Sequence, residues 1–274
     1  MKTLPELYLA LDTLAEPKMN AIKQQHVEQA AALRDREKRL LEEIGAEERK
    51  QGLMLSKSSL MLARQCPKAL WLYKKKYREL HVDEEDMKVL RQGNVLGEKA
   101  RALFPGGVLV VPEGSRPDAS AAQRTLQLMK DGAKSLYEAT FLYNNVLVAV
   151  DILSRQNDAW TVYEVKGSQK LGAHHIVDTA IQVYVLRHVL DEDLGPVHIL
   201  HLSPGALPEN EQELYERLKA VDVTAEVEAL QKEIPVMIRS GRQVLLGPEP
   251  DLAIGPQCTN PYPCGFRRYC GQMT

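Results

Sequence analysis

Three apolar runs that lie close together constrain the fold more than any other feature of the chain. They read "SLYEATFLY" at 135–143, "VLVAVDILS" at 146–154 and "WTVYEVKG" at 160–167. Asn144 and Asn145 separate the first two runs, and asparagine tolerates the positive φ angles of a hairpin turn. A helical run follows at 174–190 and a further strand-like run at 196–203. This order of elements predicts an α/β fold with a mixed central sheet flanked by helices.

The third run ends in two opposite charges. Glu164 and Lys166 are two residues apart, so on a strand they share one face. Asp151 follows the apolar part of the preceding strand, and pairing of the two strands would bring it to Glu164 at one end of the sheet. Carboxylates are typical ligands of Mg²⁺ or Mn²⁺, and a neighbouring lysine can stabilise charge on a phosphate. The alternative for the pattern alone is a salt bridge at a strand end.

Four cysteines form the second candidate site. Three of them, Cys258, Cys264 and Cys270, are separated by five residues each, and Cys66 lies far upstream. Four thiolates can hold a 4Fe–4S cluster or a zinc ion. Zinc sites usually contain pairs spaced C-x2–4-C, which are absent here, so the spacing favours iron–sulfur. The alternatives are buried free cysteines or adventitious disulfides.

The first fifty residues differ in character from the rest. They are polar and rich in helix formers, with a thin apolar stripe at Ile22, Leu33, Leu40 and Ile44. We interpret residues 1–50 as a helical N-terminal arm that is either a solvated extension, the favoured reading, or a docking helix for a protein partner. Residues 51–274 are predicted to form the folded domain.

Helices are also predicted around the strands. Serines at the start of "LSKSSLMLARQCPKALWLYKKK" can cap a helix, and Pro67 is placed to begin a second one. Residues 84–104 predict a further helix, and "GVLVVP" at 107–112 predicts a short strand. Residues 208–240 are predicted to be mostly helical, with a break at Pro235.

A local basic patch lies after the first cysteine. It is interleaved with Tyr73 and Tyr77 and consists of Lys74, Lys75, Lys76 and Arg78. Phosphate contacts by basic residues together with stacking aromatics suit single-stranded DNA, whereas the alternative is a solvated helix end. His174 and His175 follow the charged strand and are interpreted as exposed loop residues.

Composition limits the classes of protein that the chain can be. The formal net charge of −2 argues against a strongly basic DNA coat protein but allows a local basic groove. No apolar run approaches the roughly 18 residues of a membrane helix, and the N-terminus lacks the apolar core of a signal peptide. These features predict a cytoplasmic protein that does not contact a membrane.

Taken together, these motifs resemble the PD-(D/E)xK nuclease superfamily and, within it, the RecB-like iron–sulfur nucleases. That group includes CRISPR-adaptation nucleases, the AddB subunit and exonuclease V. The chain is most similar to a bacterial family of RecB-like nucleases, over about residues 53–272. The likeness lies in "LSKS", "QCPKALWL", "EVKGSQKLGAHHIVDTAIQVYVLR" and "CTNPYPCGFRRYC".

The resemblance implies a restriction-endonuclease-like core with a metal site. Asp151 and Glu164 would bind Mg²⁺ or Mn²⁺, Val165 would donate its carbonyl oxygen, and Lys166 would be the catalytic lysine. Glu98 stands where related enzymes place a further metal ligand.

The resemblance also implies supporting roles and a cofactor. Gln182 and Tyr184 match residues that position the substrate or the lysine, and Glu138 either supports the site or lies on a strand surface. Cys66 and the C-terminal cysteines would hold a 4Fe–4S cluster that joins the N- and C-terminal helical parts.

The implied function is a metal-dependent DNA nuclease that acts on single-stranded DNA or DNA ends, in repair, recombination or phage- and CRISPR-related defence. One alternative is a non-catalytic subunit that binds DNA ends or serves as a scaffold in a larger complex. Another is a zinc or redox protein whose acidic residues are incidental. Metal-dependent cleavage of DNA separates the first reading from the others.

Overall fold

The protein is described by a computed structural model that covers residues 2–190, 194–205 and 208–271. Within the chain, contacts define two compact units. The first contains residues 1–54 together with 144–146, and the second contains residues 55–143 and 147–274. No helix in the described ranges combines the length and the apolar character needed to cross a bilayer.

The first unit is built on two long helices, α1 (Leu4–Lys23) and α2 (Val27–Lys50). They pack against each other and bury an apolar seam that includes Leu7, Leu14 and Ile44. An ion pair between Lys18 and Glu37 joins them at 2.6 Å. The apolar stripe of α2 is therefore completed by leucines of α1, and the interpretation of residues 1–50 as a solvated extension or a docking helix stays a prediction.

The second unit contains nine described α-helices and seven described strands. The helices are α3 (Lys57–Gln65), α4 (Pro67–Lys75), α5 (Glu84–Ala100), α6 (Ala119–Lys130), α7 (Ala173–Leu190), α8 (Glu211–Arg217), α9 (Thr224–Ala229), α10 (Ile234–Leu246) and α11 (Arg267–Gly271). The strands are β1 (Leu55–Ser56), β2 (Val108–Leu109), β3 (Ser135–Tyr143), β4 (Val146–Gln156), β5 (Ala159–Lys166), β6 (Leu194–Leu202) and β7 (Leu218–Asp222).

The strands form one mixed sheet in the order β2-β3-β4-β5-β6-β7, with β1 added beside β4. The pairs β2–β3 and β5–β6 are parallel, and the pairs β4–β5 and β6–β7 are antiparallel. Helix α7 connects the parallel strands β5 and β6, as expected for a crossover. The predicted α/β fold with a mixed central sheet is confirmed.

Several predictions of turns and helix starts are confirmed. Asn144 and Asn145 have φ angles of 47° and 52°, as a tight hairpin turn requires. Ser56 caps α3 by accepting a hydrogen bond from the Ser59 N–H at 3.2 Å, and Pro67 occupies the first turn of α4. Pro235 lies in the first turn of α10, so the break expected there is the gap before that helix.

The elements that the sequence analysis missed include helix α6 and strand β7. Helix α6 is capped by Asp118, whose carboxylate accepts a hydrogen bond from the Ala121 N–H at 2.9 Å, and the sequence analysis did not use this capping signal. Strand β7 lies in a segment that was predicted to be mostly helical. It pairs with β6 at the edge of the sheet, so its conformation comes from tertiary pairing and not from local preference.

Burial in the first unit generates a prediction with a matched control. Ile44 is 0% exposed and Ile22 is 42% exposed, and both are helical. Ile44→Ala should lower the protection of α1 and α2 amides against hydrogen exchange by about 2–5 kcal/mol, because it leaves a cavity. Ile22→Ala should change it by less than about 0.5 kcal/mol. Equal effects of the two substitutions would show that the helices are not packed as described.

Candidate active site

Four charged side chains meet at the end of β5. Glu164 Oε1 accepts hydrogen bonds from Lys57 Nζ at 2.8 Å and Lys166 Nζ at 2.7 Å. Asp178 Oδ2 pairs with the same two ammonium groups, with Lys57 Nζ at 3.2 Å and with Lys166 Nζ through a short hydrogen bond. Each carboxylate therefore touches both lysines, and we call Lys57, Glu164, Lys166 and Asp178 the charge cluster.

Three separate elements bring the charge cluster together. Lys57 is the first residue of α3, directly after its capping serine. Glu164 and Lys166 lie on the same face of β5 because they are two residues apart. Asp178 lies in the second turn of α7, and Gln182 follows it four residues later on the same helix face. The expected convergence of Glu164 and Lys166 is thus observed, with two additional charges.

Gln182 completes the surroundings of Glu164. Its Nε2 donates a hydrogen bond to Glu164 Oε2 at 2.7 Å, so both carboxylate oxygens of Glu164 have donors. The Oε1 atom of Gln182 is buried and has no hydrogen-bond partner among the described residues. A buried acceptor of this kind is costly, and a donor supplied by water or a ligand would satisfy it.

Asp151 lies beside the charge cluster on the neighbouring strand. Its Oδ2 accepts a hydrogen bond from the Val165 backbone N–H at 2.7 Å, which fixes the carboxylate against the end of β5. Burial raises the pKa of Asp151 to about 8, and the negative charge of Glu164 contributes in the same direction. The two acids therefore meet at the end of β5, as strand pairing predicted, and the charge of each disfavours ionisation of the other.

The lysines decide which acid is ionised. Burial alone would raise the pKa of Glu164, but Lys166 and Lys57 hold it well below its usual range. Burial alone would lower the pKa of Lys57, but Asp178 and Glu164 raise it above its usual range. Glu164 is only 2% exposed, so its negative charge is tolerated because two ammonium groups neutralise it.

Part of this site opens onto a groove of about 1360 Å³. Asp151, Glu164, Val165 and Lys166 line the groove together with Glu138 of β3. Glu138 has a φ angle of 54° in the middle of its strand, and Arg101 Nη2 lies 3.4 Å from its Oε1. Burial raises the pKa of Glu138. Three of the carboxyl groups that line the groove, those of Glu138, Asp151 and Glu164, therefore come from neighbouring strands, together with Lys166.

Of the two further residues predicted for the site, Glu98 and Tyr184, only Glu98 lines the groove. Glu98 is on α5, where it lines the groove as an exposed side chain. Tyr184 is buried on α7 and packs against Tyr143 and His188, with ring centroids 5.9 Å and 4.6 Å away. Tyr184 is not among the residues that line the groove, so its predicted contact with substrate has no support in this geometry.

His174 and His175 differ from the expected exposed loop residues. Both lie in the first turn of α7, and His175 is buried. Its Nδ1 accepts a hydrogen bond from the Gly172 N–H at 3.1 Å, and burial lowers its pKa to about 4. His175 therefore remains neutral at physiological pH and fixes the loop that precedes α7.

The predicted basic patch is partly used within the fold. Lys76 Nζ lies 3.0 Å from Glu249 Oε2 and above the ring of Tyr269 at 4.8 Å. Burial lowers the pKa of Lys74. Lys75 and Arg78 are exposed, but no residue from 74 to 78 lines the groove. The patch is thus a separate surface with fewer available charges than its sequence indicates.

The four cysteines gather in one region and are free of disulfides. Cys66 packs with Cys264 and Cys270 around Phe266, and the Cys264 N–H donates to the Cys258 carbonyl at 2.9 Å. Burial raises the pKa of the Cys264 thiol, and the three other cysteines raise it further. The predicted meeting of the distant Cys66 with the C-terminal trio is therefore observed.

In the described residues, neither candidate site has its ligands grouped closely enough to hold a metal ion. Within residues 2–190, 194–205 and 208–271, no group of three or more His, Cys, Asp or Glu side chains is placed to hold a metal ion. The iron–sulfur cluster and the divalent cation therefore stay predictions. The donor chemistry is compatible with both, because thiols meet in one place and carboxylates in the other.

Three residues near the acids were missed by the sequence analysis. Lys57 belongs to the "LSKS" motif, and Asp178 lies four residues before Gln182, so a helical-face argument could have found the aspartate. Tyr262 lies in the cysteine loop and lines the groove. No spacing within the sequence connects Lys57 with Glu164 or Tyr262 with the groove, because these residues are far apart along the chain.

Comparisons with known proteins add little to this description. No family model matches the sequence, and no curated protein matches it. Among solved structures, the crystal structure of SSO0001 is similar over 86% of this chain and 97% of that chain, with 14% identity and a TM-score of 0.42. A likeness at that level carries no argument about function.

The charge cluster predicts an unequal effect of two lysine substitutions. Lys57→Met leaves two largely buried carboxylates with one ammonium group and should lower the free energy of unfolding by about 3 kcal/mol. Lys170→Met removes the same charge from an exposed position and should change it by less than about 0.5 kcal/mol. Both tryptophans, Trp71 and Trp160, lie in the second unit, so urea unfolding followed by tryptophan fluorescence reports it. Indistinguishable variants would argue against the charge cluster.

Proposed function

We propose that the chain is a metal-dependent nuclease that hydrolyses phosphodiester bonds of DNA, on single strands or at DNA ends. The observation that supports this most strongly is the meeting of Asp151, Glu164 and Lys166 in one groove. Two acids and a lysine at a sheet end match the pattern of the PD-(D/E)xK nucleases that the sequence resembles. The groove is open, as a polymeric substrate requires.

The electrostatics of the acids favour a bound cation. Asp151 and Glu164 are held close together by backbone and side-chain hydrogen bonds, and burial raises the pKa of Asp151 to about 8. A divalent cation between them would remove this repulsion and allow both to ionise. To bind it, Glu164 would exchange at least one lysine contact for the cation, and Asp178 would keep the released ammonium group in place.

A Mg²⁺ or Mn²⁺ ion at this position would polarise the phosphodiester and activate a water molecule for attack. The chain itself would contribute orientation and charge. The Val165 N–H fixes Asp151, and Gln182 fixes Glu164. Lys166, which lines the groove, would stabilise the negative charge that develops on the phosphate.

The charge of the groove also points to cations. Its described lining contains six carboxyl-bearing residues and three lysine or arginine residues. The acids are Asp86, Glu98, Glu113, Glu138, Asp151 and Glu164, and the bases are Arg101, Lys166 and Lys170. A polyanionic strand would be repelled by this excess unless cations offset it. Divalent ions should therefore be needed for binding as well as for cleavage.

The cysteine cluster would stabilise the fold as an iron–sulfur site in a cytoplasmic protein. The four free thiols lie together, and Gln65 Nε2 donates hydrogen bonds to the carbonyls of Gln257 and Tyr262 at 2.8 Å each. Ligation would therefore tie α3 and α4 to the end of the chain. Reduced thiols of this kind persist in the cytoplasm, where disulfides are rare.

One observation favours a second candidate, a non-catalytic subunit that binds DNA ends. Both carboxylate oxygens of Glu164 already accept hydrogen bonds, from Lys57, Lys166 and Gln182. If the lysines hold Glu164 too firmly for a cation to compete, the groove would bind without cleaving. A cleavage assay distinguishes the two candidates.

The nuclease proposal predicts metal-dependent cleavage that needs the acid pair and the lysine. End-labelled single- and double-stranded DNA should be cut with Mg²⁺ or Mn²⁺ and remain intact with EDTA. Asp151→Asn and Lys166→Met should each lower kcat by a factor of about 100–1000 or more, because they remove charge stabilisation at the reacting phosphate.

Lys219→Met provides the matched control for the lysine variant. Lys219 is exposed on β7 and outside the groove, so its removal should leave cleavage unchanged. If the folded, metal-supplied protein cuts no DNA yet still binds it, the proposal of a nuclease is wrong and the second candidate gains support.

The cysteine cluster predicts a different phenotype. Cys264→Ser in protein prepared without oxygen should lower the iron content, the visible charge-transfer absorption and the soluble yield, because one of four ligands is lost. Thr259→Ala in the same loop and Asp151→Asn in the groove should retain the absorption. A Cys264→Ser protein with normal yield and unchanged absorption would contradict an iron–sulfur cluster at these residues.

A further inference from the structure

Tyr262 connects the cysteine loop with the groove. It lies between Cys258 and Cys264 and lines the same groove as Asp151, Glu164 and Lys166. Its side chain is 50% exposed, although its aromatic ring is apolar. An exposed ring on a groove wall, where most large apolar side chains of a fold are buried, indicates a surface available for contact with a ligand.

Contacts on two sides hold Tyr262 in place. Gln65 Nε2 donates a hydrogen bond to the Tyr262 carbonyl at 2.8 Å, which fixes the backbone. The ring contacts His174 with centroids 5.2 Å apart and planes 84° apart. In such an edge-to-face contact, His174 covers either one face or one edge of the phenol ring. At least one face of the Tyr262 ring is therefore left uncovered by His174. Tyr262 is therefore ordered before any ligand arrives.

The ring also shares the groove with the reacting groups, because Tyr262, Asp151, Glu164 and Lys166 all line it. His174, which the ring contacts, lines the groove as well. The pair of rings and the lysine that would contact the phosphate therefore border the same open space.

We propose that Tyr262 stacks on a nucleobase adjacent to the scissile phosphate and thereby selects a strand that is unpaired at that nucleotide. This inference rests on the proposed nuclease function and specifies its substrate. Stacking on an aromatic side chain tolerates any base, because every base has a π face. The selection is therefore for strandedness and not for sequence.

The strand preference follows from geometry. In a duplex, both faces of an internal base are already covered by its neighbours. A protein ring can replace one of these neighbours only after unstacking, which costs a few kcal/mol per step in duplex DNA. A single strand or a frayed end carries little of that cost, so Tyr262 favours it.

The first test varies the protein. On single-stranded oligonucleotides with Mn²⁺, Tyr262→Leu should raise KM about 5- to 150-fold, the range expected for loss of one stacked base. Tyr262→Phe keeps the ring and should stay close to the unsubstituted protein. Far-UV circular dichroism and iron content control for damage to the loop. Equal KM values for the Leu variant and the unsubstituted protein would overturn the inference.

The second test varies the substrate, so it does not depend on the folding of a variant. A single abasic nucleotide is moved through the positions around the cleavage site. At one position, the abasic nucleotide should raise the KM of the unsubstituted protein by the same factor as Tyr262→Leu does. At that position it should not raise the KM of the Tyr262→Leu variant any further. If the two changes raise KM by independent factors that multiply at every position, Tyr262 does not contact a base.

A binding measurement separates failure of the inference from failure of the nuclease proposal. Fluorescence anisotropy with Ca²⁺ gives the Kd for the same oligonucleotides without requiring cleavage. Tight binding that depends on the Tyr262 ring, without cleavage in any metal, would overturn the nuclease and support base stacking. Cleavage with a Kd and KM that are insensitive to Tyr262→Leu would support the nuclease and overturn base stacking.

Discussion

The neutralisation of Glu164 by two lysines is the interaction on which the arrangement of the site depends. The carboxylate is 2% exposed, and an unpaired charge at such a position would be expelled or protonated. Lys57 comes from α3 and Lys166 from β5, and Asp178 of α7 binds both. Three elements that are distant in sequence are thus held at one point. If any one of these elements moved away, a buried charge on the remaining elements would lose its partner.

This balance explains why Asp151 differs from Glu164. The charge cluster contains two positive and two negative groups and is neutral by itself. Asp151 is an additional acid that no ammonium group of the cluster pairs with directly, and burial together with Glu164 raises its pKa to about 8. One further positive charge is what the site lacks. That deficit, and not the number of acids, is the electrostatic case for a cation in the groove.

Much of the fold was predictable from local signals, whereas part of the site was not. The apolar runs, the Asn144-Asn145 turn and the start of α4 at Pro67 are encoded over a few residues, so reading them required no tertiary information. Asp151, Glu164 and Lys166 were found because strand periodicity and pairing bring them together. Lys57 and Tyr262 approach from more than ninety residues away, and β7 exists because β6 offers an edge. Such contacts leave no periodic trace in one sequence.

Glu138 shows how this sheet gives up stability at the groove. A φ angle of 54° in a residue with a Cβ costs about 1–2 kcal/mol, and glycine or asparagine would relieve most of it. The position instead carries a half-buried acid whose pKa is raised by burial. Both the backbone and the side chain are thus unfavourable at a single point of β3. A search for more robust versions of this chain would replace Glu138 early, and would remove one of the acids of the groove in doing so.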